Sequence, residues 1–384
     1  MASTGAKPHH NYIDCVRGYA VLLVMTAHYA YLFPNLPYPV HRVAVMGWYG
    51  VQLFFIASSL TLLMSWDYET RTRGGADVGA FFIRRFFRIA PAYYVAGAFY
   101  FFLIPPPDGF DMVQALASIG FVNAWHPLLT PTVANRWVFV PGGWSIGVEF
   151  TFYLLFPLFA TRVRSLRAAL WLVVALLVLG ALASRAALAA LSGSYRPSEV
   201  RNFLFFWFPN EMSVFGLGGV LFFLMRTAEA RGFNLRFPTL TALGAVGAFL
   251  ALGFVPLGKF LGARPVLPYS LVVCLPLMVF VFALSRVRGG LLVNRQVMLM
   301  GKVSFSAYLL HFATLRLLGT FPAAYGAGAT GYRAILAFVL TWPVAAVLTF
   351  AAAWCSYRVI ELPGMALGKV LIRGWRVSSM GKLF

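Results

Sequence analysis

Charge is what this sequence has least of, and negative charge above all. Its 384 residues include 11 Asp and Glu against 31 Lys and Arg; charged residues make up 11% and hydrophobic ones 60%. A soluble domain is nearer one quarter charged and half apolar, so this composition excludes an ordinary water-facing globular surface. Cysteine is also scarce: Cys15, Cys274 and Cys355 are scattered through apolar sequence, which argues against a disulfide framework or a cysteine metal centre, and no metal is expected. No long polar segment divides the apolar runs, so one membrane domain is expected without a soluble companion. The basic excess does not read as a nucleic-acid patch, because most of it sits in short segments between apolar runs, the pattern of membrane orientation.

Long apolar runs are what the sequence has in plenty. They occur at roughly 12–32, 44–66, 86–104, 112–128, 143–160, 168–191, 203–226, 238–257, 266–284, 298–320 and 333–357, most of them near the ~20 residues that cross a bilayer as helix. The first contains Arg17 and lacks a small-residue cleavage pattern, so it reads as a retained helix and not a signal peptide. The segment 112–128 is the weakest of these runs, being short and holding Asp111, Gln114, Asn123 and His126 in or beside it. If it does not cross, 22 of the 31 Lys and Arg fall on one side together with both termini, as the positive-inside rule requires. The expected fold is therefore an all-α polytopic membrane protein of about ten transmembrane helices, with a re-entrant or interfacial element near 112–128. Residues 1–11 form a cytoplasmic N-terminal tail, 12–357 the membrane domain, and 358–384 a basic cytoplasmic C-terminal tail.

Ionisable groups inside a bilayer are costly and mark function. In the first span Arg17 and His28 are 11 residues apart, which puts them on one helix face about 16 Å apart in height, with Asp14 near the same stripe. Arg17 alone reads as an interfacial anchor; His28 is deep and suited to acid–base chemistry near neutral pH. Arg84, Arg85 and Arg88 gather at the start of the third span, where they serve equally as an orientation signal or as a phosphate cradle with Arg17. Ser145, Glu149 and Tyr153 follow at i+4 on one face, and Glu149 is expected at the depth of His28, orienting it. Asn210, Glu211, Tyr308 and His311 are further buried polar positions, also explained by helix kinking or a satisfied core histidine.

The ordered set of motifs resembles the integral-membrane acyltransferase-three family, whose members O-acylate bacterial surface polysaccharides, nodulation factors and macrolides. The likeness is carried by Asp14-x-x-Arg17-Gly18 followed by His28, GVQLFFIASSL, Arg84-Arg85-x-x-Arg88-Ile89-x-Pro91-x-Tyr93, Trp144-Ser145-x-x-x-Glu149, GKVSFSAYLLH and Tyr357-x-x-Ile360-Glu361-x-Pro363. Ser58-Ser59 stands where the family often has Ser-Gly, and Phe305 where it often has Tyr. The resemblance implies a multi-pass protein of the bacterial inner membrane that takes an acyl group, acetyl most commonly, from cytoplasmic acyl-CoA. The acceptor is a hydroxyl of a carbohydrate or lipid-linked sugar at the outer face, or a separate outer-face protein takes the acyl group. Arg17, Arg85 and Arg88 would hold the CoA phosphates; His28, oriented by Glu149, would act as general base or carry the acyl group. Asp14, Ser145, Tyr153, Glu211 and His311 would support substrate or site.

Two other readings compete. A transporter or flippase would line a path with the same polar residues and make no bond, although no inverted repeat of the kind common in transporters is visible. A membrane acyltransferase of the unrelated Asn/His type would place its essential histidine at His311.

Overall fold

The computed structural model describes residues 10–105, 109–130, 138–256, 269–321, 326 and 328–380. The first nine residues of the expected N-terminal tail thus lie outside the described residues, as do parts of the segments expected at 238–257 and 266–284. All regular structure in the described residues is helical. The helices are α1 (Asn11–Ala30), α2 (Tyr38–Val45), α3 (Gly50–Arg73), α4 (Val78–Leu103), α5 (Met112–Ile119), α6 (Trp144–Arg162), α7 (Leu166–Leu191), α8 (Pro197–Phe206), α9 (Phe208–Ala230), α10 (Pro238–Leu252), α11 (Tyr269–Leu284), α12 (Arg295–Lys302), α13 (Ser304–Gly319), α14 (Gly331–Ser356) and α15 (Leu362–Met380). Polar caps mark several starts. Asp77, Asp111, Ser165 and Asn294 each accept from a backbone N–H three residues on, at 2.9–3.1 Å, opening α4, α5, α7 and α12.

Small residues put α1 at the centre. A Cβ built on Gly47 or Gly50 would meet the carbonyls of Leu23 and Ala20 at 2.0 and 2.3 Å, and one on Gly301 would meet that of Asp14 at 1.8 Å. The backbone at and just before the start of α3 therefore lies directly against the middle of α1, and that of α12 against its first turn, as small residues allow in membrane helices. The Ser58-Ser59 departure is accommodated from across the interface: Gly218 of α9 faces the Ile56 carbonyl and the Ser59 side chain, where a Cβ would come within 2.7 Å of both. Close packing of α3 on α9 is thus kept, with the glycine on the partner helix.

Among the described residues, six helical runs are long and apolar enough to cross a membrane, and seven if α12 and α13, bent by 80°, count as one broken span. The runs Tyr38–Arg73 and Pro197–Ala230 are 83% and 78% buried over their apolar windows, whereas Leu166–Leu191 and Gly331–Trp375 are 22% and 28% buried. The first pair is therefore interior. The second presents residues such as Leu170, Trp171, Leu182, Leu340 and Val347 outward, a surface suited to lipid and not to water.

Three expected spans fold as helices that do not meet the same criterion: α1 carries Asp14, Arg17 and His28, while α10 and α11 are 15 and 16 residues long. The segment near 112–128 forms the eight-residue α5 and a 3-10 turn at Pro127–Leu129. Eight residues rise only about 12 Å, too little for a ~30 Å hydrocarbon core. Two of its side chains are tied down, Gln114 Nε2 donating to Leu128 O at 2.8 Å and Trp125 Nε1 to Thr151 Oγ1 at 3.1 Å, while Gln114 Oε1, Ser118 Oγ and Asn123 Oδ1 are buried without a hydrogen-bond partner. The expected C-terminal tail is helical as far as Met380: a π-helical turn at Tyr357–Glu361 leads into α15, whose Gly364 and Gly368 pack on Pro91 and Phe87 of α4.

Candidate active site

Most of the sequence candidates line one or the other of two adjoining cavities; Asp14, Glu211 and His311 line neither. The first is lined by Arg17, Ser58, Arg85, Arg88, Ser145, Glu149, Tyr153 and Tyr308, with Phe305 at the family's frequent tyrosine position. It forms where α1, α3, α4, α6 and α13 converge. Arg85 and Arg88 reach it together because they are three residues apart on α4. Arg17 Nη2 donates to Thr61 Oγ1 at 3.3 Å, and Arg88 Nη1 lies 3.6 Å from Met365 Sδ. Arg85 Nε is buried with no hydrogen-bond partner. Among the described residues no carboxylate lies within ion-pair distance of these three guanidiniums, while Arg84 is drawn away to Glu69 at 2.9 Å. Three cations on one cavity without a paired anion call for an anionic ligand.

The second cavity is larger and aromatic. His28, Tyr31, Trp48, Tyr49, Trp144, Phe206 and Phe312 line it, with Arg201 and Asn202 of α8. Val51 and Tyr308 line both cavities and so form the wall between them. Tyr308 is held in place: its hydroxyl donates to Gly142 O at 2.9 Å and meets Ser145 Oγ at 2.8 Å. The turn before α6 makes this geometry, since Gly142 has φ +77°, a conformation natural to glycine.

His28 uses Nδ1 to donate to Val24 O at 2.9 Å, one turn back on α1. A carbonyl can only accept, so the neutral ring keeps its lone pair on Nε2. Its ring lies 4.5 Å from that of Phe312 and 5.1 Å from that of His311. The two histidines that sequence reasoning kept as rival centres are therefore neighbours.

The expectation for Glu149 needs correction. It is not beside His28; its Oε1 accepts from Ser58 Oγ at 2.6 Å and Tyr153 OH at 2.5 Å, and it faces the arginine cavity. Depth counted along the sequence missed this although α6 begins at Trp144, as expected, because depth does not say which neighbouring helices a side chain faces. Ser145 already touches the dividing Tyr308, and Glu149 sits one turn further along, on the arginine side. Asp14 is buried at the α1–α12 contact, and Glu211, 1% exposed, accepts from Gln52 Nε2 at 3.1 Å; neither lines the two cavities. Sequence reasoning missed Trp48, Arg201 and Asn202. Arg201 and Asn202 left one usable signal, polar residues directly before the apolar run expected from 203.

A helical membrane protein with a half-buried imidazole one wall away from a cluster of guanidiniums has the parts of a membrane group-transfer enzyme. A family model described as an acyltransferase domain matches residues 10–358, and the chain belongs to this membrane acyltransferase family. It is an acyltransferase. Acyltransferase MdmB of Streptomyces mycarofaciens is 26% identical over 318 residues, covering 78% of each protein. No solved structure matches.

Proposed function

We propose that this enzyme transfers an acyl group, acetyl as the first expectation, from cytoplasmic acyl-CoA to a hydroxyl of a carbohydrate or lipid-linked sugar at the outer face of a bacterial inner membrane. It does so as a ten-span protein with both termini cytoplasmic and α5 not crossing. The observation that carries this reading is the pair of cavities sharing one wall. Arg17, Arg85 and Arg88 supply the fixed cations that phosphate oxygens need. The thioester end of the donor reaches toward Tyr308, and the acceptor occupies the aromatic cavity, where Trp48 and Trp144 offer ring faces and Arg201 and Asn202 offer donors to hydroxyls.

His28 is the general base. Its Nε2 takes the proton of the acceptor hydroxyl as that oxygen attacks the acyl carbonyl carbon; the C–S bond breaks, and the departing thiolate takes the proton back. Glu149, in place of the role first expected for it, sets the electrostatics of the donor cavity and orients Ser58 and Tyr153. Sealed vesicles of opposite orientation test the sidedness. Labelled acetyl-CoA supplied at the cytoplasmic face is expected to label acceptor on the far side; equal labelling from the outer face would contradict the proposal.

A further inference from the structure

His28 lies in an aromatic pocket with no carboxylate in contact, since Glu149 faces the other cavity. An imidazolium formed there is poorly solvated, so what stabilises it bears on the rate. The polar ring adjoining it is His311 of α13, wholly buried, with its centroid 5.1 Å away. His311 Nδ1 lies 2.5 Å from Tyr308 O, so this ring too donates from Nδ1 and keeps its lone pair on Nε2. That Nε2 is buried and has no hydrogen-bond partner. A buried acceptor without a donor is costly and calls for an explanation. Both tautomers are fixed by carbonyls of the rings' own helices, so the lone pair of His311 is preset before any substrate arrives.

We propose that His311 is the positioning residue for His28. Its preset ring dipole, with the unpartnered Nε2 as the negative pole, stabilises the positive charge that the neighbouring His28 ring carries after taking the acceptor's proton, until that proton passes to the leaving thiolate. This rests on the reading of His28 as general base. It also gives Tyr308 two roles, because its hydroxyl holds the wall between the cavities while its carbonyl sets the tautomer of His311.

Two isosteric substitutions separate this role from simple packing. His311→Asn keeps an amide donor where Nδ1 meets Tyr308 O but leaves nothing at Nε2; His311→Gln places a polar group where Nε2 stood. The full-length protein, purified in detergent, is assayed with labelled acetyl-CoA, following transfer to n-octyl β-glucoside and hydrolysis by water as the two acyl acceptors. The proposal predicts that His311→Asn loses about 100-fold or more in kcat, in the range of acid–base contributions. His311→Gln is expected to retain kcat within about tenfold, and the donor KM to hold within about twofold in both. If Asn is as active as Gln or better, or if the loss appears in KM, His311 is a packing residue and the proposal is overturned while the base reading stands. If His28→Ala leaves turnover intact, the base reading itself fails and takes this proposal with it.

Discussion

Arg85→Gln isolates donor binding from folding. Arg85 lines the first cavity with a buried Nε that has no partner, and among the described residues no carboxylate is paired with it. Removing it orphans no buried anion, which is the usual source of large losses when one member of an ion pair is deleted. It relieves repulsion from Arg88 and gives up a longer-range attraction to Glu149, so thermal stability is expected to stay within about 1 kcal/mol of the parent. A hydrogen bond to a charged group contributes about 1.5–3 kcal/mol, so losing a guanidinium–phosphate contact raises the KM for acetyl-CoA by about 10- to 150-fold. Arg84→Gln is the control. It breaks a partly exposed pair with Glu69 at 2.9 Å, worth about 0–1 kcal/mol, and should leave the donor KM within about twofold. Steady-state kinetics on the two variants, with melting curves of each, decide the matter. Equal effects on donor KM would refute the assignment of the arginine cavity to the donor.

Three further outcomes follow from the packing. Gly47→Ala drives a Cβ to within 2.0 Å of the Leu23 carbonyl; the α1–α3 contact must spread, costing about 1–3 kcal/mol as a lowered melting temperature, without a donor-specific change in KM. Glu361 Oε1 accepts from both Ser306 N, at 3.0 Å, and Ser306 Oγ, so Glu361→Ala leaves a buried backbone N–H without a partner and costs about 1–3 kcal/mol. Glu361→Gln keeps an acceptor there and is expected to be markedly milder in the same melting assay. Tyr308→Phe removes the hydroxyl that ties the wall to Gly142 and Ser145, and the ratio of acyl-CoA hydrolysis to acyl transfer should rise as the wall loosens.

Much of this organisation could be read from sequence because it depends on local pattern. The apolar runs gave the helices, and Arg85-x-x-Arg88 had to share a face on any helix. Arg17 was set beside them by the side of the membrane that the positive-inside pattern assigned to both; that the three line one cavity is a tertiary fact. What sequence left wrong or unseen depended on where helices begin and how they cross. Glu149 was set at the level of His28 from its position along the span alone; the start at Trp144 is where sequence put it, and it is the packing of α6 against α3, α4 and α13 that delivers Glu149 to the arginine side. His28 and His311 are 283 positions apart, and only the packing of α13 on α1 brings their rings together. The outer wall of Trp48, Arg201 and Asn202 comes from the 3-10 turn preceding α3 and from the short α8, which the reading by apolar spans gave no reason to join.

Everything proposed for the two cavities depends on His28 performing the transfer. The direct measurement compares purified parent and His28→Ala protein, matched for folding by melting temperature, for transfer of label from acetyl-CoA to a hydroxyl acceptor. The variant is expected to bind acetyl-CoA with the parent's affinity and to lose about 100- to 10,000-fold in transfer rate. Transfer by a folded His28→Ala protein at the parental rate would show that His28 is not the base.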